Sequence, residues 1–226
     1  CGAQVTVADT REEPPHLAQL RSELPVRCFV AGVLSAALVD GQPVRVVYRS
    51  PGLSPETVAP VVDAARAIGL PVSGELDLFS LALQSLAQAH GYAPKVLAIT
   101  GTNGKTTVTS LTGQLLAHAG MTTAVAGNIG PSLLDTLSQH IDSESLPQAW
   151  VLELSSFQLE DAHAFNPTAA TVLNISQDHL DWHGSMEAYA GAKATIFGSD
   201  ALMGLNRDDP AVMAMLPPPV RVKLQR

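Results

Sequence analysis

The stretch Leu97–Leu111, LAITGTNGKTTVTSL, decides the fold. A short apolar run leads into Gly-Thr-Asn-Gly-Lys-Thr-Thr, and a helix-patterned segment follows. That order describes a loop that cradles phosphate. Gly101 and Gly104 let the backbone turn its N–H groups inward, and the helix start adds its positive end. Lys105 is placed to reach terminal phosphates, and the Thr106 hydroxyl to meet a magnesium ion. The loop is shorter than the common G-x-x-x-x-G-K-[ST] pattern, which needs a glycine where Ile99 stands. The plain alternative is a strand–turn–helix junction that happens to be rich in Gly and Thr.

Outward from the loop, strand and helix patterns alternate, as in a mostly parallel α/β architecture. On the C-terminal side, KVLAIT (95–100) is a strand. Val108, Leu111, Leu115 and Ala119 form the expected apolar face of the next helix, which Gly120 ends. TTAVAG (122–127), AWVLEL (149–154) and TAATVLNI (168–175) are further strands. A polar segment, SQDHLDWHGS, precedes a helix over MEAYAGAKATIF, and ALMGLN (201–206) and VRVKL (220–224) complete the strands. On the N-terminal side, AQVTVAD (3–9) and VRVVY (44–48) are strands, with the turn RSPGLSP after the second. Pro60 suits the first turn of a helix that Gly69 ends. LPVSG is a short strand, and LDLFSLALQSLAQAHG is a helix with Gly91 as its stop. GYAP (91–94) reads as a linker, which puts a domain boundary near residue 93. No internal repeat is evident.

Composition narrows the class. Of 226 residues, 46% are hydrophobic, enough for a sizeable core. The formal net charge is −8 with no basic run, which argues against nucleic acid as a partner. Apolar runs such as CFVAGVL are too short to span a membrane, and no signal-peptide pattern is present. The two cysteines, Cys1 and Cys28, do not suggest a disulfide framework. The cytoplasm is the default compartment. The chain starts CGAQVTVADT and stops at VRVKLQR, and both ends are expected to be cuts through a larger protein.

Four further positions carry chemistry. Glu153 stands near the end of an apolar strand, where a charge needs a partner or a metal. Beside a phosphate loop such an acid can hold Mg²⁺, and the alternative is a strand-end carboxylate that faces water. In DHLDWH (178–183), His179 and His183 are four apart with Asp181 between them. Zinc would need a helical segment and a third ligand. A hard cation already on phosphate fits better, and a solvated polar loop is the alternative. Lys193 falls on the stripe made by Met186, Tyr189, Ala190, Ile196 and Phe197. It either snorkels to water or is held inside a site. Asp9 ends a strand where a Rossmann-like unit would meet a ribose, without the glycine-rich turn that should precede it.

TGTNGKTT, GNIG, ELSSFQLE, LNISQDHLDWHGSMEAYAGAKATIF and SPGLSP together resemble the Mur ligases. The likeness runs from VTVADTR to LNRDDP. ELSSFQLE with SPG and ADTR points to the D-glutamate-adding branch; the loop alone is shared with folylpolyglutamate synthase.

The resemblance implies a Rossmann-like UDP-binding domain over 1–92, lacking its first strand and helix. It also implies a P-loop-type parallel-sheet ATPase domain over 93–226 lacking its end, with the amino-acid-binding third domain absent. It implies ATP-dependent joining of D-glutamate to UDP-N-acetylmuramoyl-L-alanine through an acyl phosphate, in peptidoglycan synthesis, by a parent enzyme that is a monomer. Gly101, Thr102, Asn103, Gly104, Lys105, Thr106 and Thr107 would bind ATP. Thr106 and Glu153 would hold one Mg²⁺, and His179 a second. Lys193 would be carbamylated and serve the metal site. Asp9, Thr10 and Arg11 would meet the uracil end. Ser50, Pro51 and Gly52 would let backbone approach the nucleotide. Asn128, Ser155, Ser156 and Gln158 would meet the muramoyl-alanine part. Arg49, beside the SPG turn, is more basic than the family leads one to expect. Competing readings are another Mur ligase or folylpolyglutamate synthase, and a nucleotide-binding fragment without catalysis. A P-loop GTPase is disfavoured by the short loop and the lack of a guanine-reading N-K-x-D motif.

Overall fold

The computed structural model describes residues 3–23 and 28–217 and divides the chain into two compact units. The first comprises residues 1–49 and 53–72. Its strand β1 (Thr6–Asp9) pairs in parallel with β2 (Cys28–Ala31), joined through α1 (Leu17–Glu23). A 3₁₀ turn (Ala36–Leu38) and the short β3 (Val47–Tyr48) lead to α2 (Pro55–Ala67). Leu34, Val39, Val58, Val62, Ala65 and Val72 form this unit's core.

Helix α2 starts five residues before the Pro60 start expected from sequence. Ser54 caps it, its Oγ accepting the Thr57 N–H at 3.3 Å, and Pro55 fills the first turn, where no N–H is needed. Pro60 therefore lies inside the helix. The expected stop holds: Gly69 is left-handed at φ +73°, and its N–H reaches the Arg66 carbonyl. Strand β4 (Val72–Ser73) pairs with β3.

The second unit comprises residues 50–52 and 73–226. Helix α3 (Glu75–His90) ends at left-handed Gly91 as expected. It packs in this unit, although it lies N-terminal to residue 93: Leu76 and Phe79 join the core around Trp150. The Phe79 ring meets Trp150 edge-on at 5.1 Å. After it come β5 (Lys95–Thr100), α4 (Lys105–His118), β6 (Thr123–Gly127), α5 (Leu133–Asp142), β7 (Ala149–Glu153), α6 (Ser156–Glu160), β8 (Ala169–Val172), α7 (Leu180–His183), α8 (Met186–Ala194), β9 (Leu202–Leu205) and α9 (Pro210–Met213). The five strands form one parallel sheet in the order β6-β7-β5-β8-β9. Both faces are covered, so β7 reads as a continuous apolar run and is buried along its whole length. Because all strands run the same way, the segments after β5, β6, β7 and β8 emerge at one carboxyl edge, where α/β sheets bind ligands.

Helix α4 turns a different face inward from the expected one. Thr109 and Gly113 are buried, while Leu111 and Leu115 are 53% and 62% exposed. The reason is close approach to the sheet: a Cβ at Gly113 would lie 2.6 Å from Val125 Cγ2, so this face is built from small residues. Helix α5 is absent from the sequence reading. Ser132 caps it by accepting the Asp135 N–H, and Leu133 and Leu137 anchor it in the core. The strand expected at 220–224 lies outside the described residues. No helix among the described residues is long and apolar enough to cross a membrane.

Candidate active site

The loop after β5 has the glycine-built backbone on which the phosphate-cradle reading rests. Gly104 is left-handed at φ +82° and stands directly before α4, whose first turn starts at Lys105. Gly101 is pressed on Leu173: a Cβ there would lie 3.0 Å from the Leu173 Cβ. The segment after β8 holds the loop. Asn174 accepts the Asn103 N–H at 2.8 Å through Oδ1, and its carbonyl accepts the Thr102 N–H at 2.9 Å. Thr102 Oγ1 accepts the Ser176 N–H at 3.0 Å and lies 3.1 Å from the Tyr189 hydroxyl. Thr106 and Thr107 are exposed at the start of α4. Asn174 and Tyr189 were not singled out from sequence. They stand 71 and 87 residues from their loop partners, and only the fold brings them together.

Two lysines converge here. Lys105 Nζ donates to the carbonyls of Gly101 and Thr102 at 2.9 and 3.0 Å. Lys193, from α8, donates to the same Gly101 carbonyl at 3.1 Å and to Thr100 Oγ1 at 3.3 Å. Its Nζ sits 4.8 Å from the centre of the Tyr189 ring. Lys193 is only 2% exposed, so the snorkelling alternative does not hold. Burial, and then the Lys105 charge, pull its pKa down to about 7. A lysine so placed is partly neutral near pH 7, and a neutral amine is a nucleophile.

Glu153 closes β7 at 4% exposure, opposite Ile99 and Gly127 in the sheet register. Asn128 donates its side-chain amide to Glu153 Oε1 at 3.2 Å. Gly127, at φ +127°, lets the next turn pass over this strand end: a Cβ there would lie 2.1 Å from the Glu153 carbonyl oxygen. A buried carboxylate beside a phosphate loop suits a hard cation. Among the described residues no group of three or more His, Cys, Asp or Glu could hold a metal. Glu153 and the Thr106 hydroxyl are the residues that could hold a magnesium ion taking the rest of its shell from nucleotide phosphate.

Past β7, Ser155 and Gln158 form a capping box on α6. Ser155 Oγ accepts the Gln158 N–H, and Gln158 Oε1 accepts the Ser155 N–H. Ser156 is 1% exposed, and its hydroxyl lies 3.0 Å from His183 Nε2. Of the expected muramoyl-alanine contacts, Ser156 and Gln158 are thus bound into local structure, Ser155 is half-buried and Asn128 is exposed.

Residues 180–183 are helical, so the polar-loop alternative does not describe them, and His179 precedes that helix in a left-handed conformation at φ +49°. His179 is exposed, with Nε2 3.4 Å from Asp178 Oδ2. Burial lowers the pKa of His183.

In the first unit, Asp9 ends β1 and is clasped by Arg11, whose Nε and Nη2 each donate to a carboxylate oxygen at 2.9 Å. These hydrogen bonds hold the Asp9 pKa down to about 2. Thr10 and Arg11 are exposed after the strand. Asp9 and Arg11 help line a cavity of about 360 Å³ with Pro14, His16 and Phe29. Ser50, Pro51 and Gly52 follow β3 and group with the second unit.

The chain is similar to known proteins. The pattern of the Mur ligase middle domain matches residues 99–222, more than half of the chain. A UDP-N-acetylmuramoylalanine–D-glutamate ligase of Albidiferax ferrireducens is 64% identical over 226 residues, 100% of this chain and 45% of that protein. The ligase of the same name from Burkholderia thailandensis is 58% identical over 219 residues, covering 96% of this chain and 43% of that protein. A solved UDP-N-acetylmuramoyl-L-alanyl-D-glutamate–2,6-diaminopimelate ligase superposes with a TM-score of 0.53 at 27% identity, over 80% of this chain and 44% of that one. The chain spans about half the length of the curated relatives it matches. With a family pattern laid over the phosphate loop, Glu153, His179 and Lys193 alike, the chain belongs to the Mur ligase family.

Proposed function

We propose that the full-length protein joins D-glutamate to UDP-N-acetylmuramoyl-L-alanine at the expense of ATP, a cytoplasmic step of peptidoglycan synthesis. The observation that carries this reading is the meeting of Lys105 and Lys193 at one loop carbonyl, on the sheet edge where Glu153 ends β7. The relatives named as D-glutamate ligases support the choice of amino acid.

The chemistry explains the residue types. A carboxylate and a triphosphate repel one another, so cations and N–H dipoles must hold them together. A carboxylate oxygen of the substrate attacks the γ-phosphorus, the bond to the β-phosphate oxygen breaks, and ADP leaves. The D-glutamate amine then adds to the acyl carbon and phosphate departs with the attacking oxygen. Lys105 and the loop backbone hold the phosphates during the first step. When bound, magnesium would neutralise charge between the two anions, one ion held by Thr106 and Glu153 and a second by His179. Lys193 adds its neutral amine to CO₂, forming an N–C bond and releasing a proton. It thereby becomes a carbamate, an anion suited to the cation site. Asp9 and Arg11 recognise the uracil end in the first unit. Ser50–Gly52 serve as a close-approach turn, and Asn128 and Ser155 contact the muramoyl-alanine part.

The test is ADP release by the full-length protein with UDP-N-acetylmuramoyl-L-alanine and a panel of amino acids. Turnover is expected with D-glutamate. Turnover with L-alanine, diaminopimelate or folate plus glutamate instead would move the protein to a different branch of the family.

A further inference from the structure

His179 has a demanding position. It holds φ +49°, ψ +33°, a conformation an L-residue keeps only when its surroundings impose it. Its helix, α7, has four residues, too few to hold itself. Locally, Asp178 Oδ1 accepts the His179 N–H at 3.0 Å, and the His179 carbonyl accepts the N–H groups of Trp182 and His183.

The remaining support comes from α6 and from α8, whose Tyr189 ring lies 6.3 Å from the His179 ring and 5.4 Å from the His183 ring. His183 Nε2 lies 3.0 Å from Ser156 Oγ, and Trp182 Nε1 donates to Glu160 Oε2 at 2.9 Å. Between these two bonds lies the Phe157 ring. It stacks on His183 with planes 8° apart and meets Trp182 and His179 at 4.5 and 4.8 Å between centroids. Helix α6 is itself fixed by its capping box two residues after Glu153. The chain after one expected metal ligand, Glu153, thus leads into α6, and α6 contacts the segment of the other, His179.

We infer that His183 and Trp182 are positioning residues, which tie α7 to α6 through Ser156 and Glu160 and so set His179 at its working distance from Glu153. The inference rests on the metal reading of His179 given above. Residues that orient a metal ligand from behind are typically worth about 10- to 100-fold in metal affinity.

The test uses the full-length protein with ADP and Mn²⁺, the bound ion being counted by electron paramagnetic resonance without turnover. His183→Ala and Ser156→Ala are each expected to weaken Mn²⁺ binding about tenfold. The double variant is expected to be no worse than either single one, because both remove one bond. His183→Gln, which keeps an amide at similar reach, is expected to recover most of the loss. Metal-free ADP affinity is expected to stay within twofold, since the bond removed joins His183 to Ser156 and involves no loop residue. Trp182→Phe, which keeps an aromatic ring beside Phe157 while removing the indole N–H and its smaller ring, provides a variant less prone to unfolding and is expected to lose several-fold. Unchanged Mn²⁺ affinity in His183→Ala, with loss in His179→Ala, overturns the tie alone. Unchanged affinity in His179→Ala overturns the metal reading beneath it. Additive losses in the double variant overturn the shared bond.

Discussion

Lys193 shows how one side chain takes its chemistry from its surroundings. In water an ammonium with a pKa near 10.5 does not react with CO₂ at neutral pH; here burial and Lys105 bring that value to about 7. The neutral fraction therefore grows as pH rises through 7, and carbamate formation is expected to grow with it. A ¹³C carbamate resonance under labelled bicarbonate should strengthen from pH 6 to 8 and vanish in Lys193→Ala. That variant is expected to lose turnover, with partial return on adding a short carboxylate such as acetate. Full activity in Lys193→Ala would sink its role. The sign for stability follows from the same shift. Between about 7 and 10.5 the unfolded chain holds a proton that the folded chain does not, so folding stability gains from Lys193 as pH rises through that window. Below about 7 the cost of burying the charge is fully present. Lys105→Met removes the neighbouring cation, so the pH midpoint for carbamate formation should move upward. Nucleotide affinity should fall by about 10- to 100-fold, as a charge-assisted bond worth about 1.5–3 kcal/mol is lost.

Much of this site was legible at the level of residue types. Lys193 stood out as a charge on an apolar stripe, and Glu153 as a charge in an apolar strand. What sequence could not supply was the partner of each. Asn174 looks like an ordinary residue after a strand until its amide meets Asn103, and His183 is one more polar group in a polar segment until it meets Ser156. These pairings depend on neighbouring strands β5, β7 and β8 lying side by side, which periodicity does not encode.

Among the elements, the turn after β6 is the most constrained. Gly127→Ala would place a methyl 2.1 Å from the Glu153 carbonyl at a positive φ, and the strand end must shift to admit it. A loss of more than about 1–3 kcal/mol is expected from backbone strain alone, read as a lower denaturation midpoint. Weakened metal binding should accompany it because Glu153 moves. Ser155→Ala breaks the capping box and should cost about 0.5–2 kcal/mol by the same measurement. Helix α4 explains why its inward face was misjudged. Apolar periodicity chose Leu111 and Leu115, yet the sheet is approached so closely that only Thr109 and Gly113 fit between. Likewise α2 was placed late because Pro60 resembled a start signal, while Ser54 and Pro55 held the true one.

For the whole molecule, sheet order decides where chemistry collects. With β5 central and flanked by β7 and β8, the phosphate loop, Glu153 and the His179 segment all leave from the same edge. The five strands and their mostly parallel arrangement were readable from the alternation of patterns, while α5 and α6 between them were not. The uracil end is assigned to the other unit, where Asp9 is already an acceptor at any physiological pH because Arg11 keeps it ionised. Under the proposed function, the step carried out at the sheet edge is activation of the muramoyl-alanine carboxylate. That step leaves a trace in the products. UDP-N-acetylmuramoyl-L-alanine carrying ¹⁸O in its carboxylate, turned over by the full-length protein with ATP and D-glutamate, is expected to deliver one ¹⁸O into each inorganic phosphate released. Phosphate free of label, with amide still formed, would contradict an acyl-phosphate route.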